Sequence, residues 1–389
     1  HSLGVFYATF TEFLGFTPNS DEWKVMGAAA YGDPASFSDK LRKLVRCVDG
    51  QLELDQNYFE FANMKFGGYF SARLEEYLGI TAKNIDGPLT QEQYDLAAAV
   101  EIVFEELVIE LLIWLHGQVQ VPNLVVSGGC FMNSLTNGKI IERTPFQSIY
   151  VSFAPADNGT AIGAALWTNA NRGAGNKLYR TSLSAYTGPS FSDDEIRASL
   201  DNFKVSYSRS ENIAADAASC LADGKIIGWF QGKLEFGERA LGNRSILADP
   251  RDSGMKDKIN RAVKYREAFR PFAPSILAEY KDVYFEMPPQ SSVDYMEQVY
   301  PIRLEKRHEI PAVVHHDGTG RLQTVQSEHN QRYYDLISEF QKLTGIPVVL
   351  NTSFNINTEP IVCNVADALR TFVASGLDIL CVGDYLVRK

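Results

Sequence analysis

Between Gly228 and Ser275 an otherwise acidic chain gathers cations. Arg239 and Arg244 stand among Gly232, Gly237 and Gly242, and Lys264, Arg266 and Arg270 follow closely. Arginine presents a planar fork of donors that matches phosphate or carboxylate. Glycine lets a backbone approach a ligand closely. Together they describe a pocket for a small anion, whose chemistry would be charge compensation rather than attack by a covalent nucleophile. A plainer arrangement is also open, in which these arginines pair with Glu235, Glu238 and Glu267.

Other positions could join such chemistry. The apolar strand Asn123–Ser127 runs into Gly128-Gly129-Cys130 and then Asn133, an order that offers backbone N–H groups and a helix start to a phosphate. Asp157 precedes a small-residue helix, either as its N-cap or as a metal or nucleotide ligand. Asn351 and Ser353 end an apolar strand and can bond a small ligand or make turns. His315 and His316 are adjacent, so on a strand they point to opposite faces and do not share a metal.

The elements that must position these groups follow from periodicity. Helices are predicted over 1–15, 91–118, 192–201, 212–222, 256–263, 330–345 and 365–375. Strands are predicted over 123–127, 149–151, 203–207, 225–230, 275–277, 347–350, 379–382 and 385–387. Asp49-Gly50 marks a hairpin between 45–48 and 52–54. Residues 312–325 read as strand–turn–strand with Arg321 at the turn. Asn169–Tyr186 is rich in Asn, Gly and Ser and reads as a linker, so the fold class is α/β with domains over 1–178 and 187–389.

Composition excludes several classes. Lys and Arg total 37 against 48 Asp and Glu, a net charge of −11, which argues against a general nucleic-acid or membrane-surface binder. The five cysteines are scattered and form no CxxC pair, pointing to a reduced, cytoplasmic setting. The apolar run 102–116 is broken by Glu105, Glu106 and Glu110 and reads as a buried or amphipathic helix.

Taken together, His1-Ser2-Leu3-Gly4-Val5-Phe6-Tyr7, Lys24-Val25-Met26-Gly27, Ser127-Gly128-Gly129-Cys130, Pro155-Ala156-Asp157-Asn158-Gly159-Thr160-Ala161-Ile162-Gly163, the 228–275 stretch, Asp317-Gly318-Thr319-Gly320-Arg321 and Asn351-Thr352-Ser353-Phe354-Asn355 resemble one family. It is the O-carbamoyltransferases of nodulation-factor, cephalosporin, aminoglycoside and ansamycin biosynthesis. One departure lies in the cationic loop, where Glu238 stands in place of the proline of Gly-Pro-Arg-Ala-Leu-Gly.

The resemblance implies the C-terminal half of an ASKHA (actin and sugar-kinase-like) domain followed by a YrdC-like α/β domain. It implies that the YrdC-like domain makes carbamoyl adenylate from the co-substrates ATP, with Mg2+, and carbamoyl phosphate. The ASKHA-type domain then carbamoylates a hydroxyl of a small-molecule acceptor, with Fe2+ or another divalent metal. Carried over by position, Lys264 and Arg270 become catalytic. Arg239, Arg244, Arg266, Arg321, Asn351 and Ser353 bind carbamoyl phosphate or the adenylate, Gly128, Gly129 and Asn133 lie near nucleotide phosphate, and Asp157 binds metal.

The family's histidine ligands precede the position of His1, and the six histidines here contain no His-x-x-x-His pair. The expectation is therefore a C-terminal part of a longer enzyme, in which adenylate formation survives and transfer to the acceptor fails. Alternatives are a relative acting in hydrogenase maturation or tRNA modification, or a non-catalytic nucleotide-binding or scaffold fragment.

Overall fold

The computed structural model describes residues 1–60, 68–83, 87–172, 184–266, 269–289 and 291–389. They divide into two compact units, His1–Val151 and Ser152–Lys389. Most of the expected linker, and Glu267, lie outside the described residues.

In the first unit, α1 (Leu3–Phe13) starts at Ser2, whose hydroxyl accepts from the amides of Gly4 and Val5. Phe6, Phe10 and Phe13 recur at helical spacing and are fully buried. Helices α2 (Glu22–Ala29) and α3 (Ser38–Arg42) follow. The hairpin β1 (Val45–Val48) and β2 (Gln51–Leu54) turns through Asp49 and Gly50, both with positive φ. After α4 (Ala72–Leu78), a Thr90–Gln93 capping box opens the long α5 (Gln91–Val119). Its interior acids are satisfied: Glu105 pairs with Lys139 and Arg143, and Glu101 accepts from Tyr7 Oη at 2.8 Å. Strands β3 (Asn123–Val126) and β4 (Ser148–Val151) pair in parallel, with α6 (Ser134–Arg143) between them in sequence.

The second unit begins with α7 (Gly159–Arg172), which buries none of its residues and runs four positions into the expected linker. There follow α8 (Asp193–Phe203), β5 (Tyr207–Arg209), α9 (Ile213–Ala222), β6 (Ile227–Phe230), β7 (Arg244–Ala248), α10 (Met255–Ile259), β8 (Ala273–Leu277) and α11 (Lys281–Tyr284). Then come β9 (Val299–Pro301), β10 (Thr319–Arg321), β11 (Gln323–Val325), α12 (Gln331–Thr344), β12 (Val348–Ser353), α13 (Val365–Ala374), β13 (Ile379–Val382) and β14 (Tyr385–Arg388). Eight strands form one mixed sheet in the order β11-β8-β12-β7-β6-β13-β14-β5. Successive side chains of its strands serve opposite faces. Ile227 and Trp229 join the core under α9 and α12, while Phe230 joins the core with α8, α10 and α13.

Several expectations change. The stretch after β6 is not all loop, because Arg244–Ala248 is a central strand between β6 and β12. Its apolar run is short and begins with a charge, so periodicity hides it. Ala312–Val313 lie in a short 3-10 turn rather than a strand, the turn falls at Asp317-Gly318, and Arg321 ends β10 instead of sitting at a turn. Strand β12 runs on to Ser353, carrying Asn351 and Ser353 inside the sheet. The helix at 256 stops at Ile259, and Asn260–Lys264 form a wider π turn closed by Tyr265 at φ 45°.

Candidate functional site

The register collects one end of the sheet. Phe230 opposes Arg244, Ser245 opposes Ser353, Asn351 opposes Ala273, and Gln323 opposes Ser275. The C-terminal ends of β6 and β12 and the N-terminal ends of β7, β8 and β11 therefore share an edge. The loops bearing Arg239, Arg266 and Arg270, the π turn ending at Lys264 and the end of β10 at Arg321 border that edge.

Lys264 is buried at the end of the π turn. Its Nζ donates to Ser353 O at 2.6 Å, Ser353 Oγ at 3.2 Å, Asn355 O at 3.0 Å and Asn355 Oδ1 at 2.7 Å. Its acceptors carry no full charge. Burial, with Arg266 and Arg270 nearby, holds the ammonium well below its usual pKa. Arg321 is held well below the usual guanidinium range by burial and by Arg239, Arg266 and Arg270. Burial lowers Arg239 also, opposed by the charge of Glu238. Arg266 donates from Nε to Asn260 Oδ1 at 3.1 Å and lies over the Phe272 ring at 4.5 Å. Lys264 thus lies in the fields of Arg266 and Arg270, and Arg321 in those of Arg239, Arg266 and Arg270. A multivalent anion would relieve their repulsion.

The loop between β6 and β7 is held by a carboxylate. Glu235 Oε1 accepts the amides of Leu241 at 2.7 Å, Asn243 at 2.8 Å and Arg244 at 3.3 Å. Burial pushes its pKa up against these bonds. Two glycines allow the path. At Gly237 (φ 118°) a Cβ would meet Phe153 O at 2.2 Å, and at Gly242 (φ 103°) it would meet the Tyr333 ring at 2.1 Å. Glu235 thus binds backbone amides, and the ion pair between it and an arginine side chain that sequence left open does not form.

Arg244 is placed differently from the other cations. It is fully buried, stacks on Phe230 at 3.7 Å, and donates to the carbonyls of Gln231, Gly232, Asn243 and Pro189. Burial lowers its pKa to about 10. The structure makes it a staple of the loop, its terminal nitrogens already occupied by carbonyls. Asn351 is similarly embedded: Nδ2 donates to Ala240 O, Ser275 Oγ and Gln323 Oε1, and only its Oδ1 is left buried without a partner. Ser353 Oγ donates to Asn355 Oδ1 at 2.7 Å.

Two polar groups were missed by sequence reasoning. Asn355 shares Lys264 with Ser353. Half-buried Lys256 on α10 is lowered by burial and by Arg266. The signal for Asn355 was its period-two spacing after Ser353, while Lys256 carried none.

The candidates outside this edge are more dispersed. Gly128 has φ 108°, and a Cβ on Gly128 or Gly129 would meet nothing within 4 Å, so this turn is open. Asn133 is committed on both sides of its amide, capping α6 at Thr136 N (3.0 Å) and donating to Glu101 (2.8 and 3.0 Å). A phosphate would have to break that cap to reach it. Asp157 offers its carbonyl to Thr160. Among the described residues no three His, Cys, Asp or Glu side chains gather to hold a metal, so Asp157 has no companion ligands there.

Known proteins resemble this chain along its whole length. The family descriptions Carbamoyltransferase N-terminus and Carbamoyltransferase C-terminus match residues 1–166 and 218–389. Nodulation protein NolNO of Sinorhizobium fredii is 41% identical across the whole chain, which covers 56% of that protein. Nodulation protein NolO of Bradyrhizobium diazoefficiens is 38% identical across the whole chain, covering 69% of it. The 3'-hydroxymethylcephem-O-carbamoyltransferase of Streptomyces clavuligerus is 28% identical, again across the whole chain and 68% of that enzyme. The chain thus spans between about half and two thirds of the length of these relatives. With both family segments matched in order and whole-chain identity to a relative of which it covers more than two thirds, the chain belongs to the carbamoyltransferase family.

Proposed function

We propose that the second unit, from about residue 187 onward, is a YrdC-like domain that forms carbamoyl adenylate, and that residues 1–178 belong to an ASKHA-type domain that passes the carbamoyl group to a hydroxyl acceptor. The observation that carries the reading is the convergence of Arg239, Lys264, Arg266, Arg270 and Arg321 on one sheet edge, where burial holds Arg239, Lys264 and Arg321 below their usual ranges and neighbouring cations lower Lys264 and Arg321 further. Carbamoyl phosphate and the triphosphate of ATP bring several negative charges together. A preorganised set of cations offsets them as charge moves in the transition state.

In the first step water takes the phosphoryl group from carbamoyl phosphate, leaving carbamate and inorganic phosphate. A carbamate oxygen then bonds to the α-phosphorus of ATP while the bond to pyrophosphate breaks. Lys264, fixed by four acceptors from Ser353 and Asn355, holds its charge still with little reorganisation. Arg321, Arg239 and Arg270 bind the phosphates. Arg244 acts only by holding the loop. The open Gly128-Gly129 turn offers backbone amides to nucleotide phosphate. The described residues do not gather companion metal ligands around Asp157. The nodulation proteins and the cephem O-carbamoyltransferase among the relatives support a small-molecule or glycan hydroxyl as acceptor.

The test is pyrophosphate release by the chain given ATP and carbamoyl phosphate. Release that needs both substrates, and is lost in Arg321→Ala, is the expected result. No release, with no binding of either ligand, would reduce the chain to a scaffold.

A further inference from the structure

His315 carries an unused acceptor in a place built of donors. On β10 the side chains of Thr319 and Arg321 share a face, two residues apart. His315 folds onto that face: its backbone N–H donates to Thr319 O at 2.8 Å, and its Nδ1 lies 3.0 Å from Thr319 Oγ1. The Thr319 hydroxyl has one proton, and gives it to Asp317 Oδ1 at 2.7 Å. It can only accept from His315, which puts the imidazole proton on Nδ1 and leaves Nε2 as a bare lone pair. Burial pushes the imidazole pKa down to about 4, so the ring is neutral at pH 7. Nε2 is buried with no partner, and so is Arg321 Nε.

A lone acceptor does not suit a phosphate, whose oxygens also only accept. It suits a ligand group that carries an N–H. A carbamoyl group has the needed pair of functions, a carbonyl oxygen for an arginine donor and an amino group for a nitrogen lone pair. We propose that His315 Nε2 accepts a hydrogen bond from the amino group of the carbamoyl substrate, and so selects carbamoyl phosphate over acyl phosphates that lack an N–H. The inference rests on the reading of the cationic edge as the carbamoyl phosphate site.

The test is calorimetric binding of carbamoyl phosphate and of acetyl phosphate, which carries CH3 in place of NH2, to the full chain and two variants. His315→Gln keeps an acceptor near the Nε2 position, and His315→Met has similar bulk without one. A buried hydrogen bond left unmade corresponds to roughly tenfold to hundredfold in affinity. His315→Met should lose that factor for carbamoyl phosphate and leave acetyl phosphate unchanged, while His315→Gln should retain most of the preference. Equal changes for both ligands, or none for either, would overturn the role of His315 and leave the cationic site standing. Wild-type chain that binds neither acyl phosphate would overturn the site itself, and the inference with it.

Discussion

Arg244 and Arg321 border the same sheet end, are both buried at Nε with no partner there, and do opposite things. Arg244 has its terminal nitrogens filled by four backbone carbonyls and its face filled by Phe230. Arg321 has no side-chain hydrogen bond among the described residues, and its neighbours are Arg239, Arg266 and Arg270. One guanidinium has been used up in holding a loop. The other is held at an energetic disadvantage that an anion would remove. Residue type does not separate them. The supply of acceptors around each one does.

The sharpest way to break the comparison is to delete each arginine and follow stability and ligand binding together. Arg244→Ala removes a donor from the carbonyls of Gln231 and Gly232 and leaves those of Asn243 and Pro189 only their backbone donors, the amides of Gln231 and Leu234, and should cost roughly 3 kcal/mol in urea unfolding. Arg321→Ala should leave stability unchanged or raise it by up to about 1 kcal/mol, since it removes like-charge repulsion. It should weaken carbamoyl phosphate binding by about a hundredfold. Equal destabilisation by the two substitutions would show that Arg321 is structural too.

A pH series sharpens the same contrast. Lys264 titrates below its ordinary value of 10.5 in the folded chain. Between its folded pKa and that value the unfolded chain binds more protons, so unfolding free energy rises with pH across the window. Inorganic phosphate favours the protonated cluster and should raise the melting temperature most at the low-pH end. Lys264→Met should remove most of the pH slope and most of the phosphate effect; a phosphate shift that survives in this variant would place the anion elsewhere.

The smallest effect concerns Glu238, whose charge favours the cationic form of Arg239. Glu238→Gln should tighten phosphate binding by a factor of about two to five, a partly exposed charge being screened by solvent. A titration showing no change would mean that Glu238 is harmless to the site.

Much of this was legible without coordinates. The helices of the second unit announce themselves through capping boxes at Ser192–Glu195 and Asn364–Asp367 and through apolar spacing. The hairpin at Asp49-Gly50 follows from two residues that tolerate positive φ. Strand β7 was not legible, because five buried residues beginning with an arginine look like the end of a loop until β6 and β12 are seen on either side. Asn133 shows the same limit in the first unit. An Asn after a glycine pair suits a phosphate or a cap equally, and its choice is made by Glu101, 32 residues earlier.

The sequence by itself determined the cation inventory, the glycines that let the 231–243 loop pass Phe153 and Tyr333, and the family. Only the tertiary structure decided which cations remain for a ligand. A guanidinium satisfies itself with carbonyl oxygens, and those around Arg244 include one from Pro189, 55 residues away. Local spacing cannot show such an acceptor, and it is the count of acceptors that turns one arginine into a staple and leaves another to bind.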